Sequence, residues 1–336
     1  MTARRSTFDL VEGFQLAHAV AALDDLGVLA SLATPRRASE LAARQGLDRK
    51  LLAGVLEYVA ARADLIRQTG DRFVATPGYA ADARFLLNLY VGAYGPNAAR
   101  LGDLLRDPSA ALRVVDRARQ ARAFEAVGDS ALGVLPSIIR QLGFDRVLDV
   151  GCGTGTLLLE LANADASFIG WGIDASRHMC AAARARIRAA RLGKRLHVLE
   201  GDGRALRTIL PVEIRAGTRA VTACNLVNEM FTRGDTGVVA WLRGLRKLLP
   251  GRPLLIADYY GRLGRQHGPL RGQTALHDYV QLISGQGVPP ASVAGWQAIY
   301  AKAGCRLIHV IEDRTTTRFI HLLRLGDSRR RQRGPL

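Results

Sequence analysis

The 336-residue chain lacks the long apolar runs and paired cysteines of a membrane or disulfide-bonded protein. No segment reaches the roughly 18 consecutive apolar residues that a membrane helix needs, and residues 1–11 hold no apolar stretch of a secretion signal. The cysteines occur singly, without the CxxC spacing of a zinc finger or of a disulfide framework, at Cys152, Cys180, Cys224 and Cys305. We therefore expect a cytoplasmic protein with free thiols and no membrane partner.

Lysine is also scarce, supplying only four of the 47 basic residues. The net charge of +17 alone would suggest a nucleic acid or an anionic membrane as partner. However, a protein that tracks phosphates usually mixes lysine with arginine, and here arginine is spread along the whole chain, as a GC-rich coding sequence would produce. The densest run of basic residues is Arg329, Arg330, Arg331 and Arg333. The charge is therefore weak support for a nucleic-acid partner.

With 48% apolar and 23% charged residues, the chain is typical of a globular protein large enough for two domains. Its first part has the pattern of three helices and a hairpin, which together make a winged-helix module. The predicted helices are Phe8–Leu32, Ala38–Gln45 and a third from near Asp48 to about Ile66, and the hairpin is Arg67–Thr76 around Thr69-Gly70-Asp71.

The third helix argues against DNA binding by this module. A helix that reads DNA needs polar side chains on its solvent face. Between Leu51 and Ala61 the only charged residue is Glu57, so packing against protein is favoured. Further helices, Phe85–Tyr94 and Asn97–Phe124, are predicted to connect the module to the second half of the chain.

The segment from residue 146 onward begins as a βαβ unit. The apolar strand Arg146–Val150 runs directly into Gly151-Cys152-Gly153-Thr154-Gly155, and a helix begins at Leu157. Glycines let the backbone turn tightly and let a ligand approach the free N–H groups of the helix. The next strand, Ala166–Ile173, ends at Asp174, where an acidic residue can accept both hydroxyls of a ribose.

The stretch VLDVGCGTG (residues 147–155) with the downstream Gly172-Ile173-Asp174 resembles the first motif of class I S-adenosylmethionine-dependent methyltransferases. The resemblance continues through Asp202 after the third strand, the fourth strand Ala220–Cys224 and the fifth strand Pro253–Ala257. Together with the N-terminal module, nearly the whole chain looks like the small-molecule O-methyltransferases of plants and of bacterial natural-product pathways.

This resemblance implies an α/β fold, with a Rossmann-like methyltransferase domain after a mainly helical winged-helix domain that forms a homodimer. The implied domains are residues 1–95 for dimerisation, 96–140 as a helical connector, 141–326 for S-adenosylmethionine binding, and 327–336 as a basic tail. The cofactor-binding positions it implies are Asp149, Gly151, Gly153, Thr154, Gly155, Asp174, Asp202, Gly203 and Asn225. The expected substrate is a small molecule, methylated at a hydroxyl or an enolisable carbon.

The catalytic position departs from the family pattern. O-methylating members carry a His-Asp pair just past the fourth strand, with the histidine as general base, and this pair aligns with Asn228-Glu229. Asparagine cannot accept a proton as a base. The catalytic candidates are therefore Asn228 and Glu229, together with Asp258 after the fifth strand and His277 on a later helix.

Two alternatives stay open from the sequence. A branch of the family C-methylates 2-oxo acids with a metal held by the His-Asp pair and a later histidine that His277 resembles. Glu229, Asp258 and His277 are metal-compatible donors, although Asn228 departs from the first ligand position. The alternative of a different class is a nucleic-acid-binding regulator or an RNA methyltransferase, suggested by the charge and the winged helix.

Overall fold

A computed structural model describes residues 5–76, 81–127, 133–263, 272–313 and 317–326. The chain divides into two compact units, Met1–Gly95 with Arg122–Val127, and Pro96–Ala121 with Gly128–Leu336. The predicted connector, residues 96–140, is thus divided between the two units. The predicted basic tail, residues 327–336, lies outside the described residues.

In its described residues, the first unit contains three main helices, two short helices, a π-helix and a small sheet. Ser6 begins the first helix, because its hydroxyl accepts the N–H of Asp9 while the Asp9 carboxylate accepts the N–H of Ser6. Gly27, with φ of +71°, ends that helix region, so the single predicted helix Phe8–Leu32 is in fact two. The elements are α1 (Thr7–Asp25), α2 (Val28–Ser31), β1 (Arg36–Arg37), α3 (Ala38–Gln45), α4 (Arg49–Arg62), β2 (Ile66–Thr69), β3 (Arg72–Ala75) and α5 (Ala81–Leu86), which continues as a π-helix over Leu87–Ala93.

The sheet of the first unit has the antiparallel order β1-β3-β2, as in a winged helix. The β2–β3 hairpin closes with Thr69 paired to Arg72, in agreement with the predicted turn. A core of buried side chains from all three main helices and the hairpin includes Leu23, Leu41, Leu56 and Phe73. The exposed side of this unit is unusually apolar, since Phe8, Leu10, Val11 and Phe14 of α1 and Leu51 of α4 are each more than half exposed.

The second unit is built on a seven-stranded sheet with helices packed around it. Its helices are α6 (Gly95–Ala99), α7 (Leu101–Arg106), α8 (Ala111–Val114), α9 (Arg117–Val127, up to Ala121), α10 (Leu135–Gln141), α11 (Thr156–Ala164), α12 (Arg177–Ala189), α13 (Leu206–Ile209), α14 (Val212–Gly217), α15 (Thr236–Leu248), α16 (Gly272–Ile283) and α17 (Val293–Ala303). Its strands are β4 (Arg146–Val150), β5 (Ile169–Asp174), β6 (Leu196–Glu200), β7 (Ala220–Cys224), the short β8 (Thr232–Asp235), β9 (Pro253–Tyr259), β10 (Arg306–Asp313) and β11 (Arg318–Arg324). Short 3₁₀ turns cover Pro108–Ala110, Gly203–Ala205 and Val227–Met230.

The strand order, β10-β11-β9-β7-β4-β5-β6, places a topological switch point beside β4. From β4 the chain moves outward in one direction through β5 and β6, and then returns to the other side of β4 with β7; these strands are parallel. In open α/β sheets, ligands bind at the carboxyl ends of the strands at such a point. The glycine turn after β4 and the segment after β7 therefore lie where a ligand site is expected.

The central strands are apolar because helices cover both faces of the sheet. Leu148 and Val221 pack with Trp241 and Leu242 of α15 in one core, while Val147 packs with Leu158 of α11 in another. No helix within the described part of the chain is long and apolar enough to cross a membrane.

Candidate active site

The glycine turn after β4 has a backbone that only glycine adopts easily. Gly151, Gly153 and Gly155 have φ values of +76°, +52° and +75°. A Cβ on Gly151 would also lie 3.0 Å from the Leu226 side chain, so the first glycine is needed for packing as well. Gly155 is the cap of α11, and the turn thus leads the N-terminus of that helix toward the carboxyl ends of the strands.

Asp174, at the end of β5, is bound to this turn. Its Oδ2 accepts the N–H of Gly153 at 2.9 Å, and its Oδ1 accepts the N–H of Ser176 at 2.8 Å. Burial raises the pKa of this carboxyl group, and the two N–H groups oppose that rise. The structure therefore brings Asp174 and the glycine turn together, as the motif implied, and leaves each carboxylate oxygen capacity for a further donor.

Asp149 and Thr154 hold the glycine turn through hydrogen bonds to neighbouring elements. Asp149 is 3% exposed, accepts a hydrogen bond from the Thr222 hydroxyl at 2.7 Å, and has a pKa raised by burial to about 7. The hydroxyl of Thr154 is 3.1 Å from that of Thr156, and both accept from Arg186. These contacts fix the shape of the turn.

Asp202, after β6, is engaged by its own neighbour. Its carboxylate accepts the backbone N–H of Arg204 at 2.9 Å, and the Arg204 Nε is 2.9 and 3.0 Å from its two oxygens. Burial would raise the pKa of Asp202, but the hydrogen bonds from Arg204 hold it below the ordinary value. Gly203 is fixed between these residues, because its carbonyl accepts the indole N–H of Trp241 at 3.0 Å.

The segment after β7 is tied to the end of β9. The N–H of Asn228 donates to Asp258 Oδ2 at 2.9 Å, and the N–H of Tyr259 donates to Asp258 Oδ1 at 2.9 Å. Burial raises the pKa of Asp258 to about 7 against these two hydrogen bonds. Asn225 has a positive φ of +48° and accepts a hydrogen bond from Arg318 at 2.7 Å. Asp258 is thus positioned to hold the Asn228 backbone.

Glu229 lies near Arg117 of α9 and within the field of Asp174. Burial raises the pKa of Glu229, and the negative charge of Asp174 raises it further. The positive charge of Arg117 is the strongest effect in the opposite direction. Arg117 Nη1 is 3.9 Å from Glu229 Oε1 and donates to Gln120 Oε1 at 2.7 Å. Glu229 is therefore influenced both by a cation of α9 and by the acid at the end of β5.

Arg117 and Gln120 are site residues that sequence reasoning missed. Gln120 is 5% exposed although it is polar, and Arg117 also acts on the charge of Asp174. Nothing in the local sequence of α9 distinguishes this arginine from its neighbours Arg119 and Arg122. The only signal is three-dimensional, namely the proximity of Arg117 to two carboxylates distant in sequence.

His277 of α16 is neutral at physiological pH. Burial lowers its pKa to about 4, and the charge of Arg318 adds to this effect. Its ring meets that of Tyr259 edge-on, with the ring centroids 4.9 Å apart. Tyr259 directly follows Asp258, which accepts the N–H of Asn228. His277 is therefore linked to Asn228 through the end of β9. An uncharged imidazole can accept a proton from a bound substrate.

The three candidate metal donors do not fit a common metal ion. No group of three His, Cys, Asp or Glu side chains suited to a metal occurs among the residues that the structure describes. Glu229 is opposite Arg117, whereas both oxygens of Asp258 accept backbone N–H groups. We therefore derive no catalytic step through a metal.

Comparison with known proteins agrees with this geometry. Residues 147–246 match the family model described as methyltransferase domain. A 2-ketoarginine methyltransferase from Streptomyces arginensis is 30% identical over 173 residues, which are 49% of this chain and 50% of the relative. The match thus spans about half the length of that curated relative.

Solved structures extend the likeness to nearly the whole chain. The mitomycin 7-O-methyltransferase has 20% identity and a TM-score of 0.74, covering 94% of this chain and 96% of its own. A neocarzinostatin-biosynthesis O-methyltransferase, solved with S-adenosylmethionine and 2-hydroxy-5-methyl naphthoic acid, has 19% identity and a TM-score of 0.68 over 96% and 99%. Residues 147–246 therefore match a methyltransferase domain, within a chain that has the overall fold of these O-methyltransferases.

Proposed function

We propose that this protein transfers the methyl group of S-adenosylmethionine to a small-molecule acceptor, at a hydroxyl or an enolisable carbon. The observation that carries this proposal is the carboxylate of Asp174 hydrogen-bonded to the glycine turn at the switch point of the sheet. An acid in this place can accept the two hydroxyls of a ribose while the turn admits the rest of the cofactor.

The remaining polar groups of the cleft suit the other parts of the cofactor. Asp202 follows the next strand and would lie near the adenine, and Arg117 would pair with the carboxylate of the methionine part. Glu229 would accept a hydrogen bond from the amino group beside that carboxylate. In this arrangement the carboxylate and the amino group of the ligand each meet a residue of opposite charge.

When bound, the cofactor supplies an electrophilic methyl group on a sulfonium. The protein has to hold the acceptor atom in line with it and to remove the acceptor's proton. We propose His277 as the group that takes this proton, because its ring contacts Tyr259, which directly follows Asp258. Burial keeps the imidazole free to accept a proton but lowers its pKa to about 4, so the cofactor and the acceptor would have to strengthen it as a base. Asn228 would orient the acceptor, since its amide can bind a hydroxyl or an oxo group but cannot act as a base.

C-methylation of a 2-oxo acid is the second candidate, favoured by the similarity to the 2-ketoarginine methyltransferase. Such a reaction needs loss of a proton next to the oxo group, and His277 can accept it. This route differs from hydroxyl methylation only in the atom that attacks. It therefore uses the same residues of this chain.

We further propose that the protein is a homodimer through its first unit. The apolar side chains on α1 lie exposed, and α1 and α4 border an apolar groove lined by Ala19, Leu51, Gly54, Val55 and Tyr58. Exposed apolar area of this kind is typical of a surface that another protein covers. A second copy of the same helices is the occupant that we expect.

Methyl transfer from labelled S-adenosylmethionine tests the function. The wild-type protein is incubated with 2-ketoarginine or with 2-hydroxy-5-methyl naphthoic acid, and the product is identified by mass and by NMR. Label on carbon supports the oxo-acid route and label on oxygen supports hydroxyl methylation. Failure of both acceptors, with no label on any member of a wider hydroxy-acid and oxo-acid panel, would reject the proposal.

A further inference from the structure

Three buried oxygen atoms, two on the helix of His277 and one on the segment after β7, accept no hydrogen bond from the residues that the structure describes. They are Asn228 Oδ1, Asp278 Oδ1 and Gln281 Oε1. The three side chains are only 3%, 0% and 1% exposed. Buried acceptors nearly always have a donor, because otherwise they lose hydration without compensation. Such acceptors on two elements that pack together favour a place where a ligand supplies the donors.

Gln281 lies on the same side of α16 as His277, whereas Asp278 is the next residue after His277 and points to an adjoining side. Gln281 follows His277 by four residues and Asp278 by three, so on a helix it lies between them. The end of this helix is held firmly, because the Ser284 hydroxyl donates to the Gln281 carbonyl at 3.1 Å and the Gln286 N–H donates to the same carbonyl at 2.9 Å.

The third acceptor, Asn228, belongs to the segment on which α16 packs. The Thr232 hydroxyl donates to the Gly285 carbonyl at 2.7 Å, which joins the end of α16 to the chain just after Asn228. At the other end of the contact, Tyr259 joins His277 to Asp258, and Asp258 accepts the Asn228 N–H. The acceptors on α16 and on the segment after β7 are thus held on two elements fixed against each other.

The chemistry of the set favours a cationic ligand. Asp278 Oδ2 accepts the N–H groups of Arg262 and Leu263 at 2.5 and 2.8 Å, which leaves Oδ1 to bind elsewhere. In the described ranges no lysine or arginine forms an ion pair with Asp278. A carboxylate oxygen and two amide oxygens offer only acceptors, which match the N–H groups of a guanidinium or an ammonium. A flat apolar acceptor would leave all three oxygens unsatisfied.

We propose that the acceptor molecule carries a cationic nitrogen group, a guanidinium or an amine, which Asp278, Gln281 and Asn228 bind next to His277. This inference rests on the proposed function, because it assigns the substrate class of the same site. It makes Asp278 and Gln281 specificity-determining residues, which distinguish cationic acceptors from neutral ones.

The test is calorimetry with two matched probes, n-propylguanidinium and its neutral isostere n-propylurea. Each is titrated into the protein with and without saturating S-adenosylhomocysteine. We expect the wild-type protein to bind the guanidinium at least tenfold more tightly than the urea. Asp278→Asn should abolish this preference, and Gln281→Glu should increase it at least threefold. Gln281→Met should weaken both probes.

The outcomes distinguish the cation site from the proposed function. Equal binding of both probes by the wild-type protein, or an unchanged preference in Gln281→Glu, overturns the inference even if Asp278→Asn does not fold. If the protein does not bind S-adenosylhomocysteine, the result speaks against the proposed function instead. In that case, the probe titrations made without S-adenosylhomocysteine still decide whether the three oxygens bind a cation.

Discussion

Replacing Asp174 by asparagine should weaken cofactor binding more than any other change of one charge at this site. The carboxylate already accepts the N–H groups of Gly153 and Ser176, and we propose that it also accepts two ribose hydroxyls. An asparagine keeps one acceptor oxygen, and its NH₂ group would meet one of the two backbone donors. A hydrogen bond to a charged group contributes about 1.5–3 kcal/mol. Losing one bond and weakening the other should cost about 2–3 kcal/mol, or roughly a 30–150-fold increase in Kd.

The assay is calorimetry with S-adenosylhomocysteine, and Asp202→Asn is the matched control. Because the Asp202 carboxylate is already bound by Arg204, we expect its loss to cost about 1 kcal/mol, or roughly fivefold in Kd. Urea unfolding of both variants separates loss of binding from loss of folding. A Kd for Asp174→Asn within about threefold of the wild-type value would refute the assignment of the ribose to Asp174.

Three further predictions concern the rest of the site and the first unit. Arg117→Met should raise the KM for S-adenosylmethionine by about tenfold, because the guanidinium is proposed to bind a carboxylate. Arg117→Lys should give a KM between those of the wild type and Arg117→Met; a KM of Arg117→Met equal to that of the wild type would contradict this. His277→Gln should lower kcat about 100-fold. It should also remove one contribution to stability between pH 6.5 and about 4, because there the unfolded histidine binds a proton that the folded one, with its pKa of about 4, does not. In urea unfolding, the stability of the wild type relative to the variant should therefore fall as the pH falls through this range, and a constant difference between the two proteins would oppose the prediction. Phe14→Glu should convert a dimer to a monomer in light scattering, because Phe14 is 59% exposed on α1; an unchanged mass would argue for another interface.

The elements that carry the glycine turn could be predicted because their signals are local. The strand ending at Val150, the glycines and Asp174 follow one another within one βαβ unit. The helix Ala38–Gln45 and the strand Ala220–Cys224 have the predicted bounds, since Gly46 ends the helix directly and the strand is one short, largely apolar run. The sequence therefore sufficed to recognise the fold of the domain.

Features that depend on distant contacts were not predictable. The π-helix Leu87–Ala93, the two-residue strand β1 and the hairpin of β10 and β11 have no strong local pattern and were not expected. Likewise, the pairing of Arg117 with Glu229 and the binding of the Asn228 N–H by Asp258 arise from packing of separate elements. The family motif places Asn228 and Glu229 side by side in the chain. Only the structure shows that Glu229 lies near Arg117 while Asn228 is tied to Asp258.

Titration of S-adenosylhomocysteine into the wild-type protein tests the central claim most directly. We predict one site per chain, with a Kd of about 10 μM or tighter, and a rise in Tm that grows with ligand concentration. Adenosine alone should bind far more weakly, because it lacks the groups proposed to meet Arg117 and Glu229. Absence of heat and of any shift in Tm at millimolar ligand would contradict the assignment of this cleft to S-adenosylmethionine.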